Sequence, residues 1–141
     1  MNSDSWYSST LPNNVLIRQN IFINITKSIT IQSYSLSGSL VSGDNYLISN
    51  NTITGGTHGL SGQIIGLTYD QLLIENNLFD TEDYGIEISC NLMDNSMDDT
   101  EIVSNSFETQ NIGISLMSCK GTTAIRDNNI NTTNIGINLY E

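Results

Sequence analysis

Residues 72–88 read LLIENNLFDTEDYGIEI. Two apolar runs flank a pair of asparagines, and a lone glycine opens the second run. Asparagine is a poor strand residue, so its place inside an apolar segment needs a cause. The segment recurs along the chain. The aligned cores are IRQNIFINITKSITI (17–31), ISNNTITGGTHGLSG (48–62), IENNLFDTEDYGIEI (74–88), IVSNSFETQNIGISL (102–116) and IRDNNINTTNIGINL (125–139). They place Asn20, Asn51, Asn77, Asn105 and Asn128 at one position, and Ser28, Gly59, Gly85, Gly113 and Gly136 eight residues later in every copy.

The asparagine-to-asparagine distance runs 31, 26, 28 and 23 residues, and all of the variation falls after the last apolar residue of each core. A repeat with one fixed part and one adjustable return is a coil. Helical periodicity is absent, while Ile86/Ile88 and Ile137/Leu139 alternate with period two. The expected fold is all-β: a single-stranded parallel β-helix (solenoid) of about five rungs over 14–141, with 1–13 a separate N-terminal segment and candidate cap. Rungs of such a solenoid stack at about 4.8 Å, and equivalent residues then form interior columns: Ile17, Ile48, Ile74, Ile102, Ile125; Phe22, Ile53, Phe79, Phe107, Ile130; and Ile29, Leu60, Ile86, Ile114, Ile137. One rung cannot bury its apolar face, but a stack can. The asparagines are expected to form a structural ladder, each amide donating to the carbonyl of the asparagine one rung away. Asparagine also suits the left-handed backbone of a bend, and the glycine eight residues on is expected to mark a second bend with positive φ.

Composition agrees and excludes several function classes. Asn, Ser, Thr, Ile and Gly are abundant and proline occurs once. Fifteen acidic against four basic residues give a net charge of −11, a field that repels nucleic acid and anionic lipid. No apolar run approaches a membrane span, and the N-terminal MNSDSWYSSTLPNN lacks the basic start and apolar core of a secretory signal.

The I-x-x-N-x-[IF] and G-[IL]-x-[IL] elements resemble the parallel β-helix repeat family, which includes pectin-lyase-like enzymes, carbohydrate-binding and sugar-hydrolysis domain repeats, alginate epimerases and phage tailspikes. The resemblance spans about residues 14 to 141. It implies the right-handed coil, a polysaccharide partner, and an extracellular, cell-surface or virion setting. The matching residues are structural, so three functions follow as alternatives: a structural or carbohydrate-interacting module, a piece of a lyase, hydrolase or epimerase, or a viral fibre segment.

Candidate chemistry is acidic. Three residues after the ladder, Asp80 and Glu108 fall in one outward column, with Glu82, Asp83 and Glu87 close in sequence. Asp80, Glu108 and Glu87 are the candidate catalytic carboxylates, and Asp80, Glu82, Asp83 and Glu108 the candidate Ca²⁺ ligands; a plain solvated acidic face is the competing reading, and no other cofactor is implied. Arg18 and Arg126 share a column but lie in the first and last rungs, about 19 Å apart at the stacking distance. His58, the only histidine, reads as a surface-loop residue without a partner. Thr81, Thr109 and Thr132 share a column that an ice-binding plane would require to face outward, and Asn24 and Gly55 interrupt it. Cys90 and Cys119 lie 13 and 14 residues after their asparagines; a one-residue offset changes the face of a strand, which favours buried free thiols, with a bridge as the alternative. The long return 32–47 is expected to add a strand, and the acidic stretch 91–101 to protrude. At the C-terminal end the open rung is expected either to continue into further chain or to stack end to end on a second copy.

Overall fold

The computed structural model describes residues 14–34, 41–43, 45–65, 67–69, 71–90 and 99–140. Strands β1 (Val15–Arg18), β2 (Ile21–Ile23) and β3 (Lys27–Tyr34) make the first coil. The second contains β4 (Val41–Gly43), β5 (Tyr46–Ser49), β6 (Thr52–Thr54) and β7 (His58–Ile65). The third contains β8 (Leu67–Tyr69), β9 (Leu72–Glu75), β10 (Leu78–Asp80) and β11 (Tyr84–Cys90). The fourth is β12 (Thr100–Val103), β13 (Ser106–Thr109) and β14 (Ile112–Met117), and the fifth β15 (Thr123–Arg126), β16 (Asn129–Thr132) and β17 (Ile135–Tyr140). The first strands of the coils stack into one sheet (β1-β5-β9-β12-β15), the second into another (β2-β6-β10-β13-β16), and the third into a last (β3-β7-β11-β14-β17). Among the described residues every strand pairing is parallel, including the small β4–β8 pair formed by the long returns. The chain is a parallel β-solenoid, all-β among the described residues.

The three expected columns hold in register. Ile17, Ile48, Ile74, Ile102 and Ile125 pair in the first sheet. Phe22, Ile53, Phe79, Phe107 and Ile130 pair in the second, with the Phe79 and Phe107 rings stacked 5.0 Å apart. Ile29, Leu60, Ile86, Ile114 and Ile137 pair in the third. Members from the middle coils are fully buried, whereas Ile137 is 44 % exposed. Ile17, Phe22, Ile125 and Ile130 of the end coils are only partly buried, while Ile29 of the first coil is 4 % exposed, so cover falls off unevenly toward the ends of the stack. At Gly62 the missing side chain is replaced by Ile88 of the next coil, whose Cγ1 would stand 3.2 Å from an added Cβ.

The asparagine ladder is continuous and polar. The Nδ2 of Asn20, Asn51, Asn77 and Asn105 each donates to the Oδ1 of the next asparagine, at 3.1, 2.9, 3.0 and 3.1 Å. The backbone N–H of each of these four donates to the same oxygen, at 2.9–3.0 Å. The second amide hydrogen of Asn51, Asn77, Asn105 and Asn128 reaches back to the carbonyl of Ile17, Ile48, Ile74 and Ile102. A buried amide has two donors and one oxygen with two lone pairs; in Asn51, Asn77 and Asn105 all are used. The ladder therefore supplies partners where the backbone leaves the first sheet for the second.

Two expectations about the bends are corrected. The left-handed residue is the one before the ladder asparagine: Gln19, Asn50, Asn76, Ser104 and Asp127 have φ of 54–58°. The ladder residue itself must keep its side chain inside, so its neighbour takes the strained conformation. None of those five is β-branched, the class for which positive φ is costliest. The motif glycines Gly59, Gly85, Gly113 and Gly136 have no positive φ. Gly59, Gly85 and Gly113 are required by space: a Cβ on Gly59 would fall against the Phe79 ring and 2.6 Å from the Gly85 carbonyl. At Ser28, in the first coil, the hydroxyl is buried without a partner.

Candidate functional site

The third sheet carries the most structured surface chemistry. In β3, β7 and β11 the outward residues form two columns, Thr30–Ser61–Glu87 and Gln32–Gln63–Ser89. Between them runs a shallow cleft of about 230 Å³, lined among others by Lys27, Gln32, Gln63, Glu87, Ser89 and Met117. Glu87 is held from one side. Its Oε2 lies 3.3 Å from His58 Nε2, and both side chains are largely covered, at 22 % and 14 % exposure. His58 is fixed in turn: Nδ1 is 2.8 Å from the Thr57 hydroxyl, and the ring stacks on Tyr84 at 5.0 Å. Thr57 Oγ1 also reaches the Thr26 carbonyl at 2.8 Å, so the arrangement spans the first three coils. Burial, then the charges of Asp83 and Glu87, raise the Tyr84 phenol above its ordinary value.

His58 is thus not an unpartnered loop residue. It opens β7 and faces the carboxylate of the coil above. The signal was present in the repeat. Once the asparagines are aligned, His58 and Glu87 occupy outward positions of adjacent coils on one sheet.

The other candidates lie elsewhere. Asp80 ends β10 on the second sheet, and Glu108 lies in β13, one coil along the same column; both are exposed. Glu82 and Asp83 occupy the bend between β10 and β11. Asp83 Oδ1 accepts from Asn111 Nδ2 at 2.6 Å, and Asn111 Oδ1 accepts from Asn134 Nδ2 at 2.8 Å, a second short ladder at the next corner. Glu87 belongs to a different sheet from Asp80 and Glu108. Among the described residues no three His, Cys, Asp or Glu side chains are grouped to hold a metal ion. Arg18 and Arg126 share one column through Ser49, Glu75 and Val103. Arg126 pairs with Glu101 at 2.7 Å, which raises its guanidinium further above the ordinary range. Thr81 and Thr109 are buried, 2 % and 3 % exposed, so the threonine column does not form an outward plane. Asp94 and Asp98 fall outside the described residues.

Cys90 and Cys119 form a disulfide with Cα atoms 4.9 Å apart, contrary to the free thiols favoured by the one-residue offset. That parity argument assumes an unbroken strand. Here β14 ends at Met117 and Ser118 turns left-handed, with φ of 53°, so Cys119 is re-aimed toward the coil below. The bridge closes a separation of 29 residues. In a chain-entropy view, Cys119→Ser lowers stability by about 3–4 kcal/mol, read as a lower denaturant midpoint under non-reducing conditions, and adding a reductant removes the difference from wild type.

Compared with protein-family models, curated proteins and solved structures, the chain gives no match.

Proposed function

We propose that the chain is a carbohydrate-interacting β-solenoid module of the pectin-lyase-like kind, working as a binding surface outside the reducing cytosol. The observation that carries this reading is the cleft on the third sheet, where hydrogen-bonding side chains repeat coil by coil along a flat parallel surface. A polymer of hydroxyl-rich units can lie along such a row and meet a fresh set of donors and acceptors at each coil, about 4.8 Å further on. Net charge of −11 disfavours nucleic acid as the polymer. The Cys90–Cys119 bridge supports an oxidising compartment.

A second reading, a polysaccharide-active enzyme, is favoured by Asp80 and Glu108. They stand one coil apart, about 4.8 Å along the stack, close to the roughly 5 Å carboxyl separation of retaining glycosidases. Co-sedimentation with insoluble polysaccharides, run beside an assay for new reducing ends and unsaturated products, separates the two. Binding without product is the expected result. Product formation establishes the enzyme, and failure to sediment with any polymer overturns the proposal.

A further inference from the structure

The charges in the cleft define its ligand more narrowly. Lys27 and Glu87 are the ionisable residues lining it, one cation and one carboxylate. His58 stands behind Glu87, and Tyr84, from the same strand as Glu87, stacks on the His58 ring. Outside the cleft the molecule is strongly acidic. A polyanion is repelled by that field before it reaches the sheet. A polycation is drawn to the acidic surface everywhere, but inside the cleft it meets the Lys27 ammonium. An uncharged polyol suffers neither. An ionised carboxylate is an acceptor alone, and it pairs best with neighbouring hydroxyl donors. Gln32, Gln63, Ser61 and Ser89 supply both donors and acceptors on either side.

We infer that the cleft takes an uncharged glycan strand, that Glu87 anchors it by accepting hydrogen bonds from its hydroxyls, and that His58 is a positioning residue that fixes the Glu87 carboxylate. The inference rests on the carbohydrate-binding reading and makes it specific. The 3.3 Å contact of Oε2 with His58 Nε2 biases the orientation of the Glu87 carboxylate, so less side-chain freedom is lost when ligand arrives.

Affinity electrophoresis of the full chain tests this. The probes are the uncharged polymers galactomannan, xyloglucan and dextran, the polyanion polygalacturonate and the polycation chitosan. At least one uncharged polymer should retard the protein. Glu87→Gln should weaken that retardation at least tenfold, while Glu75→Gln, on the first sheet, leaves it unchanged. His58→Ala should weaken it severalfold, and His58→Gln, which retains an amide donor, should recover part of the loss, a rescue that a purely structural role would not produce. Should Glu87→Gln fail to fold, Ser89→Arg fills the cleft from the neighbouring column and should abolish binding. Retardation by polygalacturonate or chitosan alone overturns the inference and leaves the carbohydrate reading standing. Equal binding by wild type and folded Glu87→Gln overturns Glu87 as the anchor. Retardation by none of the five overturns both readings.

Discussion

Replacing Asn77 by alanine should cost about 3–5 kcal/mol, several times the net value of one hydrogen bond. The reason is the number of groups left behind. Asn77 Oδ1 accepts from both the backbone N–H and the Nδ2 of Asn51. Its own Nδ2 donates to the Ile48 carbonyl and to Asn105 Oδ1. All four of these bonds lie between buried groups that water does not reach, and each orphaned buried group costs about 1–3 kcal/mol. Asn20→Ala makes the contrast. Asn20 is exposed, and its Nδ2 donates to Arg18 O and Asn51 Oδ1. Its loss should cost about 1 kcal/mol or less, since water replaces the missing donor. Urea unfolding of the two variants measures both. Equal losses would show that the amides act corner by corner and that burial does not set their worth.

The second large effect is expected from Gly85→Ala. An added Cβ would press on the Phe107 ring and stand 2.7 Å from the Gly113 carbonyl. The carbonyl belongs to the backbone of the next coil, so relief requires opening the spacing between coils. We expect a loss on the order of 4 kcal/mol, above the usual 1–3 kcal/mol of an overpacked core. Gly136 holds the same motif position in the last coil, where a Cβ would meet only the Ile130 Cγ2 at 3.7 Å. Gly136→Ala should be near neutral. If the glycines served backbone conformation, the two substitutions would cost alike; a difference of several kcal/mol between them assigns the role to space.

The fold was legible because a solenoid writes its three-dimensional neighbours into the sequence at a nearly constant period. Aligning five asparagines was enough to place all three interior columns. What was not legible had two causes. Local conformation was read from residue preference, which put positive φ on the ladder asparagines and on the motif glycines. In the structure the first must aim an amide inward and the second must admit the neighbouring coil's side chain. Faces were read from strict alternation, which fails where a strand ends. Ser118 breaks the count and turns Cys119 toward Cys90. Thr81 follows β10 and Thr109 ends β13, and both are buried at the corner, Thr81 giving its hydroxyl to the Tyr84 carbonyl at 2.9 Å. The His58–Glu87 contact was missed for a different reason. It joins adjacent coils between residues that are not direct column partners, and comparison down single columns does not pair them.

The Cys90–Cys119 bridge has a mechanical consequence. Coils of this molecule follow one another along a single thread, and hydrogen bonds between coils lie roughly along the axis of the stack. A pull on the C-terminal end therefore peels strands away in sequence, β17 first, releasing chain at up to about 3.3–3.6 Å per residue. When the peel reaches Cys119 the tension passes through the covalent bond to Cys90. The residues between them drop out of the load path, hiding roughly 100 Å of contour length. Under force, the bridge is a stop that shields the fourth coil's chain from extension and passes the load directly to the third.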